Sequence, residues 1–286
     1  MKINRWLIVT TKKLSNSNIA SSRLDSLILL EDELGRDRAW VLAHPEVEIK
    51  PEQLKKLNKK VARRASHEPL AYIRGFSEFY GRKFKVNKHV LEPRPESEAM
   101  IDMLKNLLHH NSPISRVAPW KIADIGTGCG ALGISAALEL HNPEVDLYDI
   151  DASCLAVARH NAHMHELHLH CYKRDLLNRP ARKYDILLAN LPYVPDKWQI
   201  NPAAAREPKS AIFGGPDGLD VYRRLFDQLN SSKGRTRRGV KYVFTEALPP
   251  QHQKLRQIAR HANYNLLETD NFIQLFKQGE ALRVKR

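Results

Sequence analysis

The sequence predicts an α/β protein. An open, mostly parallel, doubly wound sheet follows a small helical domain and ends in an antiparallel hairpin. Three patterns carry this prediction. From Lys121 onward, short apolar runs alternate with helix-length segments. Between Ile19 and about Ala71, apolar residues instead recur at helical spacing. Between Tyr72 and Leu91 the period shortens towards two.

The elements follow in order. Ile19, Leu24, Leu27, Ile28 and Leu34 mark a helix, and Gly35 is its stop. Asp37 to Ala43 gives a short second helix that His44-Pro45 ends. Pro51 opens a third, which turns Leu54, Leu57, Val61 and Ala65 inward and its lysines and arginines outward. Residues 1–73 thus read as a helical domain. Phe76, Phe79, Tyr80, Phe84, Val86 and Val90 give a β-hairpin turning at Gly81-Arg82, so residues 74–94 read as a linker to a second domain, 95–286. That domain opens with a helix running to about His109, with Pro95 in its first turn and Glu96 and Glu98 at its positive end. The sheet strands are Lys121 to Ile125, Val145 to Ile150, Leu169 to Lys173, Tyr184 to Ala189 and Val240 to Glu246. Helices fall at Ala131 to Leu140, Ser153 to His165, Asp220 to Ser231 and Pro250 to His261. Tyr264 to Glu268 and Phe272 to Lys277 form the closing hairpin around Thr269-Asp270-Asn271.

Composition bounds the function. With 286 residues and 42% hydrophobic content, the chain can bury a proper core and is not generally disordered. No apolar run approaches the ~20 residues that span a bilayer. Met1 to Val9 holds a short apolar patch without a small-residue cleavage site, so no signal peptide and no membrane association are expected. Cys129, Cys154 and Cys171 are odd in number and far apart, which predicts a reduced, cytoplasmic setting without disulfides. The net charge of +14 makes an anionic macromolecular partner plausible, with charge for solubility as the alternative. Lys233, Arg235, Arg237, Arg238 and Lys241 concentrate that charge in one loop, where RNA contact competes with a solvated surface. His160, His163, His165, His168 and His170 straddle a helix end and a strand without a completing cysteine or carboxylate, so no metal is expected.

Gly126-Thr127-Gly128-Cys129-Gly130 joins the first sheet strand to its helix. Glycines there let the backbone approach a ligand, and the helix start favours negative groups. Asp149 ends the second strand about twenty residues on, where a carboxylate holds ribose hydroxyls. Loop and acid together indicate an adenosine cofactor, and both NAD and S-adenosylmethionine carry adenosine. Asp151 is placed to cap the next helix. Asp175, after the third strand, either meets the adenine amine or caps. Arg94 either lines the pocket or pairs with a nearby acid.

Asn190-Leu191-Pro192-Tyr193 ends the fourth strand, at the sheet edge where ligands of open α/β folds bind. The Asn190 amide oxygen and the Leu191 carbonyl offer two acceptors, Pro192 stiffens the turn, and Tyr193 offers a flat face. Such a site suits a planar NH₂ group, either a carboxamide or the exocyclic amine of a base. No acid–base pair for hydride transfer follows this strand, which favours methyl transfer.

At this point the chain resembles the glutamine methyltransferases that modify the Gly-Gly-Gln loop of peptide-chain release factors. Ser22-Arg23-Leu24-Asp25, Asp37-Arg38-Ala39-Trp40 and Glu68-Pro69-Leu70-Ala71-Tyr72-Ile73 resemble that family's N-terminal helical domain. Phe79-Tyr80-Gly81 and Pro93-Arg94-Pro95-Glu96-Ser97-Glu98 resemble its linker and the helix that follows. Asp124 to Gly130, Asp149 and Asn161-Ala162 match its cofactor half, and Glu207-Pro208, Gly214-Gly215 and Asp217-Gly218-Leu219-Asp220 match the stretch after the turn. Leu191 replaces the first proline of the usual Asn-Pro-Pro-Tyr, and Glu92, Thr245-Glu246-Ala247 and Asp270-Asn271-Phe272 also depart from the pattern.

The resemblance implies a Rossmann-like class I S-adenosylmethionine-dependent methyltransferase. It implies cofactor binding by Gly126, Thr127, Gly128, Cys129, Gly130, Asp149, Asp175 and Asn190. It implies catalysis at Asn190, Leu191, Pro192 and Tyr193 on a release factor recognised by the helical domain. Two other functions fit the residues, an amino-methyltransferase acting on DNA or RNA and a non-catalytic RNA-binding module.

Overall fold

The computed structural model describes residues 1–111, 118–178, 180, 182–231 and 239–279. The chain divides into two compact units, one of Met1–Phe76 with Ile200–Glu207, the other of Ser77–Gln199 with Pro208–Arg286.

The first unit is helical. Helix α1, Ile3–Asn16, is an addition to the elements expected from sequence. It buries Ile3, Trp6, Thr10 and Leu14, one stripe at three- and four-residue steps. Helix α2, Ser22–Leu34, ends at Gly35 in the left-handed region, φ 62°. Its inner face differs from the expected one: Leu24 is exposed, and Leu27, Leu29 and Leu30 fill the core. The reason is Asp25, which turns inward and accepts from Arg64 Nε at 2.6 Å. A buried charge must be paired, and this pairing sets the helix rotation. Arg64 belongs to α4, Pro51–Ala65, which also buries Leu57 and Val61. Between them lies α3, Arg38–Ala43, capped by the Asp37 side chain accepting from Trp40 N–H. Helix α5, Leu70–Arg74, completes the set. Residues 200–207 join through Arg206, which donates to the Ser66 carbonyl at 3.0 Å, and through buried Glu207.

Strands β1, Phe76–Phe79, and β2, Arg82–Lys85, form a hairpin that, from Ser77 on, belongs to the second unit. Its turn is Tyr80-Gly81, one residue earlier than expected. Both residues have positive φ, 49° and 70°, as a tight two-residue hairpin requires. A single 3₁₀ turn, Pro95–Ser97, precedes α6, Glu98–Asn111.

The main sheet has β3, Lys121–Ile125; β4, Glu144–Asp149; β5, His170–Lys173; β6, Ile186–Ala189; β7, Tyr242–Glu246; β8, Tyr264–Asp270; and β9, Ile273–Gln278. The spatial order is β5-β4-β3-β6-β7-β9-β8, and β9 runs antiparallel to both neighbours. The closing turn is Asn271-Phe272, since Thr269 and Asp270 stay paired with β9. Helices α7, Ala131–Glu139, α8, Ala152–Met164, α9, Lys209–Ile212, α10, Asp220–Ser231, and α11, His252–His261, supply the connections. The chain lays β3, β4 and β5 outward in one direction and then returns to place β6 beside β3. That reversal opens a crevice at the carboxyl ends of β3 and β6, where an open α/β sheet binds ligands. Ile125, Leu187, Ala189, Tyr222, Phe226 and Phe276 pack in the core beneath it. No helix among the described residues is long and apolar enough to cross a membrane.

Candidate active site

The loop Gly126 to Gly130 leaves β3 while still tied to β4. The Gly126 and Thr127 N–H groups both donate to the Tyr148 carbonyl at 2.9 Å. Thr127 Oγ1 donates to Asp124 Oδ2 at 2.6 Å, and the Gly133 N–H donates to the same oxygen at 2.9 Å. Asp124 is buried, and burial pushes its carboxyl up to about 6. Gly128 N–H donates to Asp149 Oδ2 at 3.0 Å, and Asp151 N–H to Asp149 Oδ1 at 2.9 Å. Burial raises the Asp149 carboxyl, and these backbone donors oppose the rise. Each Asp149 oxygen keeps a lone pair for a further donor. Asp151 caps α8, its side chain accepting from Ser153 N–H. The adjacent Ile150 is 62% exposed, an apolar face beside the carboxylate.

Cys129 is buried, its carbonyl accepts from Asn161 Nδ2 at 2.8 Å, and burial pushes its thiol up to about 12. It is therefore held as a packing residue with no thiolate chemistry at neutral pH. Asp175 lies beyond β5, and its carboxylate pairs with Arg224 of α10.

The turn after β6 is held from three sides. Asn190 Nδ2 donates to Ser97 Oγ at 2.9 Å and to Glu246 Oε2 at 3.0 Å. Ser97 Oγ donates its own proton to Glu246 Oε2 at 2.5 Å. Tyr193 Oη donates to Glu246 Oε1 at 3.0 Å. Burial raises the carboxyl of Glu246, and burial together with that acid raises the Tyr193 phenol. Leu191 is buried, and its N–H donates to Tyr222 Oη at 3.3 Å. The Tyr193 carbonyl accepts from Gln251 Nε2 at 2.7 Å, which fixes the turn beyond Pro192. Among the described residues, Asn190 Oδ1 and the Leu191 carbonyl take no hydrogen bond.

Loop and turn touch. A Cβ on Gly126, whose φ is 71°, would meet Leu191 Cδ2 at 3.0 Å. The reversal in strand order thus brings the glycine loop and the Asn190 turn to one place, with Asp149 tied to the loop at Gly128. Arg94 lies 3.6 Å from Glu92. The five histidines do not converge: no group of three or more metal-binding side chains exists among the described residues. Of the basic loop, Lys233, Arg235, Arg237 and Arg238 lie outside the described residues, and Lys241 lies over the Tyr242 ring, 5.1 Å from its centre.

No site role for Ser97, Ile150, Tyr222 or Glu246 follows from sequence, where Ser97 and Glu246 stand only within stretches that match or depart from the family pattern. The strand register brings one of them to the turn. Ala189 pairs with Thr245 in the β6–β7 ladder, so Glu246 stands beside Asn190.

Residues 5–75 match a family described as the PrmC N-terminal domain, and residues 97–207 match the methyltransferase small domain. The chain is 35% identical to a release factor glutamine methyltransferase of Koribacter versatilis over 224 residues, covering 76% of this chain and 78% of that one. It is 36% identical to another, of Coxiella burnetii, covering 73% and 74%. Among solved structures, the 16S rRNA methyltransferase RsmC of T. thermophilus, solved with AdoMet and guanosine, aligns with a TM-score of 0.50 at 18% identity. That alignment covers 72% of this chain and 50% of the other. The hMettl16 catalytic domain, solved with an RNA hairpin, aligns at 0.52 and 13%, covering 83% and 85%. These two share the class I S-adenosylmethionine-dependent methyltransferase fold with this chain.

Proposed function

This chain belongs to the release factor glutamine methyltransferase family, and we propose that it methylates the side-chain amide nitrogen of the glutamine in a release factor's Gly-Gly-Gln motif. It is an S-adenosylmethionine-dependent enzyme. The observation that carries the proposed chemistry is the pair of open acceptors, Asn190 Oδ1 and the Leu191 carbonyl, beside the glycine loop. A primary amide has two N–H donors on one nitrogen, and two fixed acceptors hold that nitrogen in one orientation.

The residues fit the cofactor. The loop from Gly126 to Gly130 leaves open space at Gly128, where an added Cβ would meet nothing within 4 Å. Asp149 would take the ribose hydroxyls, and Ile150 would cover an adenine face. Bound there, S-adenosylmethionine supplies an electrophilic methyl on a sulfonium.

The protein supplies orientation and electrostatics. An amide nitrogen is a weak nucleophile because its lone pair is delocalised into the carbonyl. Accepting both N–H groups at Asn190 and Leu191 raises electron density at that nitrogen and aims it. The Tyr193 hydroxyl is engaged by Glu246, so the ring serves as a wall and no proton is removed there. An N-methylated, N-protonated amide is a strong acid and loses its proton without a dedicated base. We assign recognition of the release factor to the helical unit, a separate basic module whose α4 turns Lys55, Lys59 and Arg63 to solvent.

The test is radiolabelled S-adenosylmethionine incubated with the enzyme and a release factor, and in parallel with DNA and with RNA. Label on the Gly-Gly-Gln glutamine is the expected result. Label on nucleic acid alone would replace this reading with a base methyltransferase.

A further inference from the structure

We infer that Glu246 is the positioning residue that fixes Asn190 as an acceptor toward the substrate, an inference that rests on the amide-methylation reading above. An asparagine amide has two ends of nearly equal shape and opposite hydrogen-bonding sense. Nothing within Asn190 chooses between them. Rotated by half a turn, it would present NH₂ to the substrate's NH₂, donor against donor.

The surroundings make the choice. Glu246 Oε2 accepts from Asn190 Nδ2 at 3.0 Å and from Ser97 Oγ at 2.5 Å. Because the Ser97 proton is committed to Glu246, Ser97 Oγ faces Asn190 with a lone pair, 2.9 Å from Nδ2. Asn190 therefore meets two acceptors, one of them a group that only accepts when ionised. In the rotated amide, Oδ1 would stand against both, with the substrate-facing end also mismatched. The second oxygen of Glu246 takes the Tyr193 hydroxyl, so one carboxylate fixes both the acceptor and the wall.

Glu246 is 1% exposed. Burying a carboxylate is costly, and three side-chain donors converge to hold it there. The strand register supplies the placement: with Ala189 opposite Thr245, the next residues of β6 and β7 are Asn190 and Glu246. The carboxylate acts on the substrate only through Asn190 and Tyr193.

Variants at Glu246, Ser97 and Asn190 and the wild type test this, with single-turnover methylation of a release factor, cofactor affinity by calorimetry and thermal melting measured for each. Glu246→Leu keeps volume and removes every acceptor. It should slow the single-turnover rate by about 30-fold, less than the roughly 100-fold scale of losing the acceptor itself, with cofactor affinity unchanged. Glu246→Gln offers one oxygen to Asn190 and Ser97 and an NH₂ to Tyr193 Oη, so it should recover most of that loss. Glu246→Leu placed in Asn190→Ala should cost nothing further. Should Glu246→Leu melt, Ser97→Ala is read the same way, with a loss of several-fold that vanishes in Asn190→Ala.

A Gln variant as slow as Leu would assign the effect to charge and overturn the orientation role. So would wild-type rates in Glu246→Leu, or equal losses with and without Asn190. A wild type that leaves the release factor unlabelled would instead fail the functional reading, before any variant bears on Glu246.

Discussion

At the scale of single residues, Asn190 is expected to govern the chemical step. Asn190→Ala should leave cofactor affinity near normal and reduce turnover about 100-fold, as loss of a preorganised group does elsewhere. Wild-type single-turnover rates in that variant would remove the turn from the mechanism. Asn190→Asp should also be slow, because a second carboxylate beside Glu246 Oε2 forces the two acids to share a proton. A pH–rate profile that gains a new ionisation would show this sharing. Asp124 gives a stability prediction. Its folded carboxyl stands at about 6 against 3.8 unfolded, so the folded state favours the protonated form. The stability that protonation contributes is present in full below pH 3.8 and is lost as pH rises through about 6. The full change is on the order of 3 kcal/mol. Asp124→Asn should flatten the curve of unfolding free energy between pH 4 and 7; a curve unchanged from wild type would contradict the burial account. The glycine loop, Asp149 and the turn could be read from sequence because each is a local pattern. Ser97 and Glu246 could not, since they reach Asn190 from 93 and 56 positions away.

At the scale of elements, the gap between β6 and β7 depends on α10. Tyr222 Oη accepts from Leu191 N–H at 3.3 Å and from Glu246 N–H at 3.1 Å, and it lies 2.6 Å from the Glu246 carbonyl. The hydroxyl bridges the strands where their ladder ends. Tyr222→Phe leaves buried donors unpaired and should cost roughly 1–3 kcal/mol of stability, read from the denaturant midpoint. It should also slow methylation, because the Leu191 N–H loses its acceptor and the backbone that aims the Leu191 carbonyl is no longer held. Full stability in that variant would mean the strands close over the gap unaided. The sheet strands were legible because each is a short apolar run, and the closing hairpin required one of its two strands to reverse; the structure makes that strand β9. Helix α1 was not legible. Its buried stripe contains Thr10, while Ile8 and Val9, 69% and 52% exposed, put apolar residues on the opposite face. The buried face of α2 departs from its apolar spacing for a related reason: a buried Asp25–Arg64 pair outweighs the exposure of Leu24.

At the scale of the whole molecule, the two units predict separable functions. An enzyme lacking residues 1–76 should still bind S-adenosylmethionine in calorimetry and fail to methylate a release factor. Equal methylation by the truncated enzyme, shown folded by melting, would refute recognition by the helical unit. Residues 200–207 lose their packing partners in that truncation, so a matched variant with this segment replaced by a neutral linker belongs beside it. The same segment was invisible in the sequence, which places it in the middle of the second domain. Its placement also orders events in time. Ser66 and Arg206 are 140 positions apart, and the ribosome adds roughly 5–20 residues per second. The first unit leaves the ribosome early and then waits on the order of ten seconds for its last piece. Nascent chains arrested with residues 200–207 still unsynthesised, and those arrested well after them, should therefore differ in the protease resistance of residues 1–76, although that stretch is identical in both.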